Sequence, residues 1–167
     1  RNDLYGLVQP VLRPLEAWWE GQGEIVHLKV PTIETLEVDL SDAYPWDDFQ
    51  LHLQSRGLAP SRESQVLGFL AGWNHPRWAG WGGHGIGVVG DYFFLLARQG
   101  GDGLDAAAGL VAHEIGHTFR GSGHRSTELD PPDIMGAWWN GLSRCIARVG
   151  APSILSAQQM QGCERTA

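Results

Sequence analysis

The chain contains no long apolar run, no cluster of basic residues and very little lysine. No stretch approaches the roughly 18 consecutive apolar residues of a membrane-spanning helix, so we expect no membrane insertion. The 12 basic residues are outnumbered by 19 acidic ones, and the formal net charge is −7. A chain of this charge is poorly suited to nucleic acid or an anionic membrane surface, so neither is expected as a partner.

Cysteine is also scarce, because Cys145 and Cys163 are the only two in the chain. Such an isolated pair near the C-terminal end predicts one disulfide that fastens this segment. A disulfide would favour a secreted or otherwise extracytoplasmic protein. The alternative is a pair of buried free thiols in a cytosolic protein.

Length and composition together predict one domain. A chain of 167 residues with 43% hydrophobic content can bury a substantial core. We therefore expect residues 1–167 to fold as a single domain, and we expect that domain to be a monomer.

The most informative segment is the sequence His-Glu-Ile-Gly-His at residues 113–117. On a helix, His113 and His117 project from one face about one turn apart, so both imidazoles can bind a single metal ion. Glu114 then lies beside the metal rather than on it, where it can take a proton from a metal-bound water. The pattern predicts a catalytic zinc site.

The residues around this segment favour a helix and supply a third ligand. Residues 104–112 are small and apolar, as expected of a buried helix, and Asp102 or Asp105 can cap its start. Gly121 suits the left-handed conformation that ends a helix and turns the chain. This turn can bring His124 back as a third nitrogen ligand, which leaves one metal position open for water.

A methionine completes the pattern, since Met135 lies eleven residues beyond His124 and is followed by glycine. An HExxH segment, a Gly turn, a third His and a Met in a tight turn resemble the signature of the metzincin clan of zinc endopeptidases. The resemblance extends over residues from about 65 to 136. It implies that the ligands are His113, His117 and His124, the general base is Glu114, the turn is Gly121 and the Met-turn is Met135.

The metzincin resemblance also implies an α+β fold. A twisted mixed β-sheet with an antiparallel edge strand would pack on an active-site helix and a backing helix. The N-terminal subdomain of this catalytic domain would extend to about residue 121. A small, mostly irregular or helical C-terminal subdomain with the Met-turn would follow, from about residue 122 to 167.

One feature departs from the common signature, because three residues rather than two separate His117 from Gly121. The extra residue rotates the helix end by about 100° and lengthens it by about 1.5 Å. His124 still lies three residues past Gly121, so it remains the expected third ligand. The competing oxygen donors are Glu128, Asp130 and Asp133.

The resemblance further implies a Gly-rich, substrate-flanking edge strand and a second strand before the active-site helix. Residues 85–90 and 91–97 fit these two places. We expect a peptide substrate to add to the edge strand through backbone hydrogen bonds. The expected substrate-binding residues on this strand are Gly85, Gly87 and Val88. Trp138, just past the Met-turn, is expected to line the pocket for a substrate side chain.

A loop rich in glycine and tryptophan is predicted at residues 74–84, ahead of this edge strand. Its two histidines, His75 and His84, could bind a second metal or contact substrate. A polar histidine in a glycine-rich loop is usually solvated, and this is the interpretation we favour for both.

The remaining elements follow from the spacing of apolar residues. An N-terminal helix is predicted to end near Gly21, with Pro10 and Pro14 near its start or kinking it. A short helix is predicted over residues 42–56. Strands are predicted at residues 24–30, 35–40 and 65–73, the last with a helix as its alternative.

Together these features predict a zinc-dependent endopeptidase with one catalytic zinc ion. Peptide bonds would be hydrolysed by a zinc-bound water that Glu114 activates. Two alternatives stay open. The same metal and base could hydrolyse a non-protein amide, such as one in a cell-wall or small-molecule substrate. The chain could also be a binding module with an inactive metal site, although the intact Glu114 argues against this.

Overall fold

The computed structural model describes residues 2–21, 27–28, 46–61, 64–75 and 79–120. Within these residues the fold is a mixed α+β arrangement of four helices and a small sheet of three strands. The elements are α1 (Asn2–Gly21), α2 (Trp46–Ser55), β1 (Val66–Phe69), β2 (Gly80–Gly83), β3 (Ile86–Val89), α3 (Asp91–Gln99) and α4 (Asp102–Arg120). No helix in these ranges is long and apolar enough to cross a membrane.

The predicted N-terminal helix is confirmed as α1, which ends at Gly21 and contains Pro10 and Pro14 in its interior. Both prolines are exposed, and their spacing of four residues places them on one face of the helix. A proline removes the hydrogen bond to the carbonyl four residues earlier, and on an exposed face water can satisfy that carbonyl. The opposite face is buried through Val8, Val11 and Leu15.

Helix α2 confirms the helix predicted over residues 42–56, of which residues 42–45 lie outside the described residues. It ends in a turn at Arg56 and Gly57, where Gly57 has a positive φ of 67°. Glycine adopts this left-handed conformation without steric cost, so it stops the helix sharply. Phe49 and Leu53 form the buried face of α2.

The sheet is mixed and has the strand order β1-β3-β2. Strand β3 pairs in parallel with β1, with Val66 opposite Ile86, and antiparallel with β2. The β2–β3 hairpin turns through His84 and Gly85, whose φ angles are 48° and 81°. Two consecutive positive φ angles are typical of the tight turns that match the twist of paired strands.

Each face of the sheet packs on its own apolar cluster. One face, with Val89 of β3, joins α1, α3 and α4 in the larger cluster. The other face, with Ile86 and Val88 of β3, joins α2 in the smaller cluster. Since β3 lies between two strands and two helical layers, all four of its residues are buried.

Two sequence predictions in this region are wrong. The segment 91–97 was expected to be a strand but lies in helix α3, where Phe93, Leu96 and Ala97 are buried at helical spacing. A short apolar run does not by itself separate a strand from a buried helix. Residues 80–83, expected within a loop, form strand β2, because the tight turn at His84 and Gly85 brings them into antiparallel pairing with β3.

The other strand predictions have mixed outcomes. The strand predicted at 65–73 is confirmed over the four residues of β1. The strands predicted at 24–30 and 35–40 lie outside the described residues except for His27 and Leu28. The Leu28 amide donates a hydrogen bond of 2.6 Å to Glu16 on α1.

Helix α4 begins at Asp102, after a connection from α3 that consists of Gly100 and Gly101. Both glycines have positive φ angles, of 66° and 46°, which lets the chain reverse within two residues. Helices α1 and α3, together with strands β2 and β3, pack against α4. The fold therefore surrounds α4 with contacts on several sides.

Candidate metal centre

The candidate site lies on helix α4 and is buried in the protein core. The buried helix predicted from the small residues at 104–112 is confirmed, because Ala106, Ala107 and Ala112 are all nearly inaccessible. Small side chains let the neighbouring helices and strands approach α4 closely. His113, Glu114 and His117 are 0%, 1% and 5% exposed. Three adjacent polar side chains are thus buried in an otherwise apolar layer.

The two histidines face each other as their spacing predicts. The distance between His113 Nε2 and His117 Nε2 is 3.1 Å, and the ring planes are nearly perpendicular at 89°. Each of His113, Glu114 and His117 offers a ligand atom, and these atoms lie within 4.8 Å of one another. The three side chains are therefore close enough to hold one metal ion.

The histidine pair fits a zinc ion in spacing and in chemistry. Two nitrogens bound to one tetrahedral zinc ion, at bond lengths of roughly 2.0–2.1 Å, lie roughly 3.3 Å apart. The observed separation of 3.1 Å between the two Nε2 atoms is close to this value. Neutral imidazole is also a preferred ligand of zinc and of related transition metals.

The Glu114 carboxylate is the most unusual group in the site. It is 1% exposed, and neither of its oxygens has a hydrogen-bond partner among the described residues. Burial raises the pKa of Glu114 well above its usual value, because the charged form loses its hydration. A carboxyl group with a raised pKa is suited to accept a proton near neutral pH and to release it again.

This raised pKa leads to a prediction for the metal-free protein. Glu114 binds its proton more tightly when folded, so its contribution to the free energy of unfolding falls as pH rises above about 4.3. The decrease ends once the pH passes the folded-state pKa. Urea unfolding of wild type and Glu114→Gln, in chelator from pH 4 to 8, measures the difference. Parallel profiles for the two proteins would contradict the raised pKa.

Both β2 and β3, the strand within the predicted segment 85–90, lie against helix α4 at the site. Strand β3 has partners on both sides, so its backbone cannot take a further strand, and among the described strands the two ends of the sheet are β1 and β2. Gly85 lies in the hairpin turn, Gly87 faces α4, and Val88 is buried toward α2. The expectation that residues 85–90 form an edge strand is therefore wrong for the described sheet, whereas substrate binding by Gly85, Gly87 and Val88 stays a prediction.

Comparison with known proteins gives no match. No protein-family model, curated protein or solved structure is significantly similar to this chain. The interpretation of the site depends on its own geometry.

Several predicted site residues lie outside the described residues. They include the turn residue, the third ligand with its three competitors, the Met-turn, the pocket residue and both cysteines: Gly121, His124, Glu128, Asp130, Asp133, Met135, Trp138, Cys145 and Cys163. Their roles remain predictions. The structure brings together His113, Glu114 and His117 from the predicted set.

The two loop histidines have different surroundings. His84 is exposed in the hairpin turn, as expected for a solvated side chain. His75 is 7% exposed, and its ring centroid lies 6.4 Å from that of Trp73, so the prediction that it is solvated is wrong. The group of described residues that could hold a metal ion does not include either of them.

Sequence reasoning missed two residues that lie against the site, Gly80 and Gly82 of β2. The alternation of glycine and tryptophan in the segment Gly80-Trp81-Gly82 is the sequence pattern that could have identified them. Alternate residues of a strand face the same side, so the two glycines share one face and Trp81 lies on the other.

Proposed function

We propose that this protein is a zinc-dependent endopeptidase. His113, His117 and His124 would hold the zinc ion, Glu114 would act as the general base, and Met135 would pack beneath the ligands. One observation carries the proposal: a buried carboxylate with no described hydrogen-bond partner lies beside two histidine nitrogens that are 3.1 Å apart.

The burial of Glu114 argues for a chemical rather than a structural role. Burial of an ionisable group without a partner is costly, and an apolar residue of similar size would stabilise this position better. Ionisable groups in such surroundings, with their pKa shifted, cluster at functional sites. In this site the carboxylate is next to metal-ligating side chains, which is where a hydrolytic base is needed.

A zinc ion in this site would supply a Lewis acid that acidifies water and polarises the scissile carbonyl group. Glu114 would accept the proton of the attacking water and then deliver it to the leaving amine nitrogen. His113 and His117, fixed on consecutive turns of the buried helix α4, would keep the donor atoms in place without reorganisation.

The substrate would bind as an extended peptide along β2. This strand is at the end of the described sheet order and pairs with β3 on one side. An added peptide strand would form backbone hydrogen bonds with the other side of β2, next to Glu114.

A mixed peptide library tests this proposal directly. We expect the zinc-loaded protein to cleave internal peptide bonds, cleavage to stop in chelator, and zinc to restore it. Cell-wall fragments and small amides form the comparison set under the same conditions. Hydrolysis of these alone would replace the endopeptidase proposal with a different amide hydrolase, and inertness toward every substrate at full zinc occupancy would favour a binding module.

A further inference from the structure

Three glycines of the β2–β3 hairpin lie directly against helix α4 at the candidate site. Gly80 and Gly82 are on β2, and Gly87, on β3, is the register partner of Gly82. All three are buried. The residues that they contact on α4 are Glu114 and His117.

Gly82 sets the distance between β2 and the backbone of α4. A Cβ atom at Gly82 would lie 2.6 Å from the Cβ of His117 and 2.7 Å from the backbone oxygen of Glu114. A Cβ atom at Gly87 would lie 3.2 Å from the same oxygen. Neither a Cβ nor a carbonyl oxygen can rotate away, so any side chain at Gly82 must displace the helix at His117.

Gly80 has a different neighbour, the carboxylate of Glu114. A Cβ atom at Gly80 would lie 2.5 Å from Glu114 Oε1 and 2.7 Å from the backbone oxygen of Val88. The carboxylate is at the end of a side chain, so it can move without the helix. It is 1% exposed and has no described hydrogen-bond partner, so its contact with the backbone of β2 at Gly80 fixes its position.

The other face of β2 shows that the strand is not generally restricted to small residues. Trp81, between the two glycines, carries its ring toward α2, and its centroid lies 3.8 Å from that of Trp46. Side chains are therefore absent from β2 on the face that contacts Glu114 and His117, while the opposite face accommodates a tryptophan.

Resting on the proposed function, we propose that Gly80 and Gly82 are positioning residues whose main tasks differ, with a Cβ atom at Gly82 also lying 3.1 Å from Glu114 Oε2. Gly82 places the metal ligand His117 by letting α4 approach β2. Gly80 places the carboxylate of the base Glu114 by leaving room for Oε1. Alanine at Gly82 should therefore mainly weaken zinc binding, whereas alanine at Gly80 should mainly lower kcat.

Zinc titration of the purified, metal-free full chain tests Gly82. We expect Gly82→Ala to weaken zinc affinity about 10- to 100-fold, as loss of ligand-orienting contacts does. Gly80→Ala should stay within about 3-fold of wild type, because its added methyl group meets the Glu114 carboxylate and the Val88 backbone oxygen of β3 rather than His113 or His117. Wild-type affinity in Gly82→Ala would overturn this half of the proposal, whether or not the protein hydrolyses any substrate.

Gly68→Ala is the matched control for general destabilisation. Gly68 is a buried strand glycine on the opposite face, where a Cβ would lie 2.7 Å from the Phe49 ring. Its alanine variant should lower the urea unfolding midpoint but leave zinc affinity and kcat unchanged. If Gly68→Ala weakens zinc binding as much as Gly82→Ala does, the role of Gly82 is merely structural.

A double-mutant cycle on kcat tests Gly80. We expect Gly80→Ala to lower kcat about 100-fold in the wild-type background and less than about 10-fold in Glu114→Asp, whose shorter side chain withdraws from the added methyl group. Equal losses in both backgrounds would overturn the role of Gly80. A crystal structure of zinc-loaded Gly80→Ala gives a readout without turnover, since an unmoved Glu114 carboxylate would also overturn it.

Discussion

Glu114→Gln is expected to lower kcat by about 10²- to 10⁴-fold while zinc affinity stays within a few-fold of wild type. Glutamine has nearly the same shape as glutamate but cannot accept a proton from water. The side chain is 1% exposed and packed against β2, so an isosteric replacement avoids a cavity. Peptide hydrolysis and zinc titration on the same protein preparation measure both quantities.

The control for this experiment is Gly6→Ala, an exposed position on α1 where an added Cβ meets nothing within 4 Å. It should retain wild-type kcat and zinc binding, and alanine should favour the helix slightly. If Glu114→Gln hydrolysed peptides at the rate of the Gly6→Ala control, a proton-transfer role for Glu114 could not stand. Loss of zinc from Glu114→Gln would instead indicate that the carboxylate is a metal ligand.

The proximity of the two histidines that could bind a metal ion was predictable from sequence because it depends on one local regularity. A spacing of four residues on a helix places two side chains on the same face, whatever the rest of the fold does. His113 and His117 therefore meet at 3.1 Å as the motif predicts. The burial of Glu114 was harder to predict from the sequence, because it depends on the strands that pack over α4.

The order of the strands could be predicted only in part. The sequence predicts a Gly-rich edge strand at residues 85–90, ahead of the helix that carries His113, whereas in the described sheet the Gly-rich strand at an end of the strand order is β2. Residues 80–83 and 85–90 are both rich in glycine, so composition does not separate an edge strand from a central one. The distinction arises from pairing, since β3 bonds to β1 and β2 at once.

The contacts of β2 with the site could not be predicted from the motif. Gly80 and Gly82 lie more than thirty positions before Glu114 and His117 in the chain, so their contact depends on tertiary packing. Strand alternation indicates which residues of β2 share a face, but it does not indicate which helix that face meets.

The second large effect is expected for the metal ligands. His117→Ala should weaken zinc affinity by more than about 100-fold, beyond the 10- to 100-fold typical of lost supporting contacts, and should abolish peptide hydrolysis. The reason is that His113 alone cannot replace a pair of nitrogens set 3.1 Å apart on consecutive helical turns. His84→Asn is the control, because His84 is exposed in the hairpin turn and asparagine tolerates its positive φ of 48°.

The same titration identifies the third ligand. His124→Ala should weaken zinc affinity about as strongly as His117→Ala, since a three-histidine site loses one nitrogen in either variant. Asp130→Ala, Asp133→Ala and Glu128→Ala should bind zinc like wild type. A loss in one of these variants, with wild-type affinity in His124→Ala, would assign the third position to that oxygen donor. The three residues between His117 and Gly121 would then have turned the chain away from the arrangement that the metzincin resemblance implies.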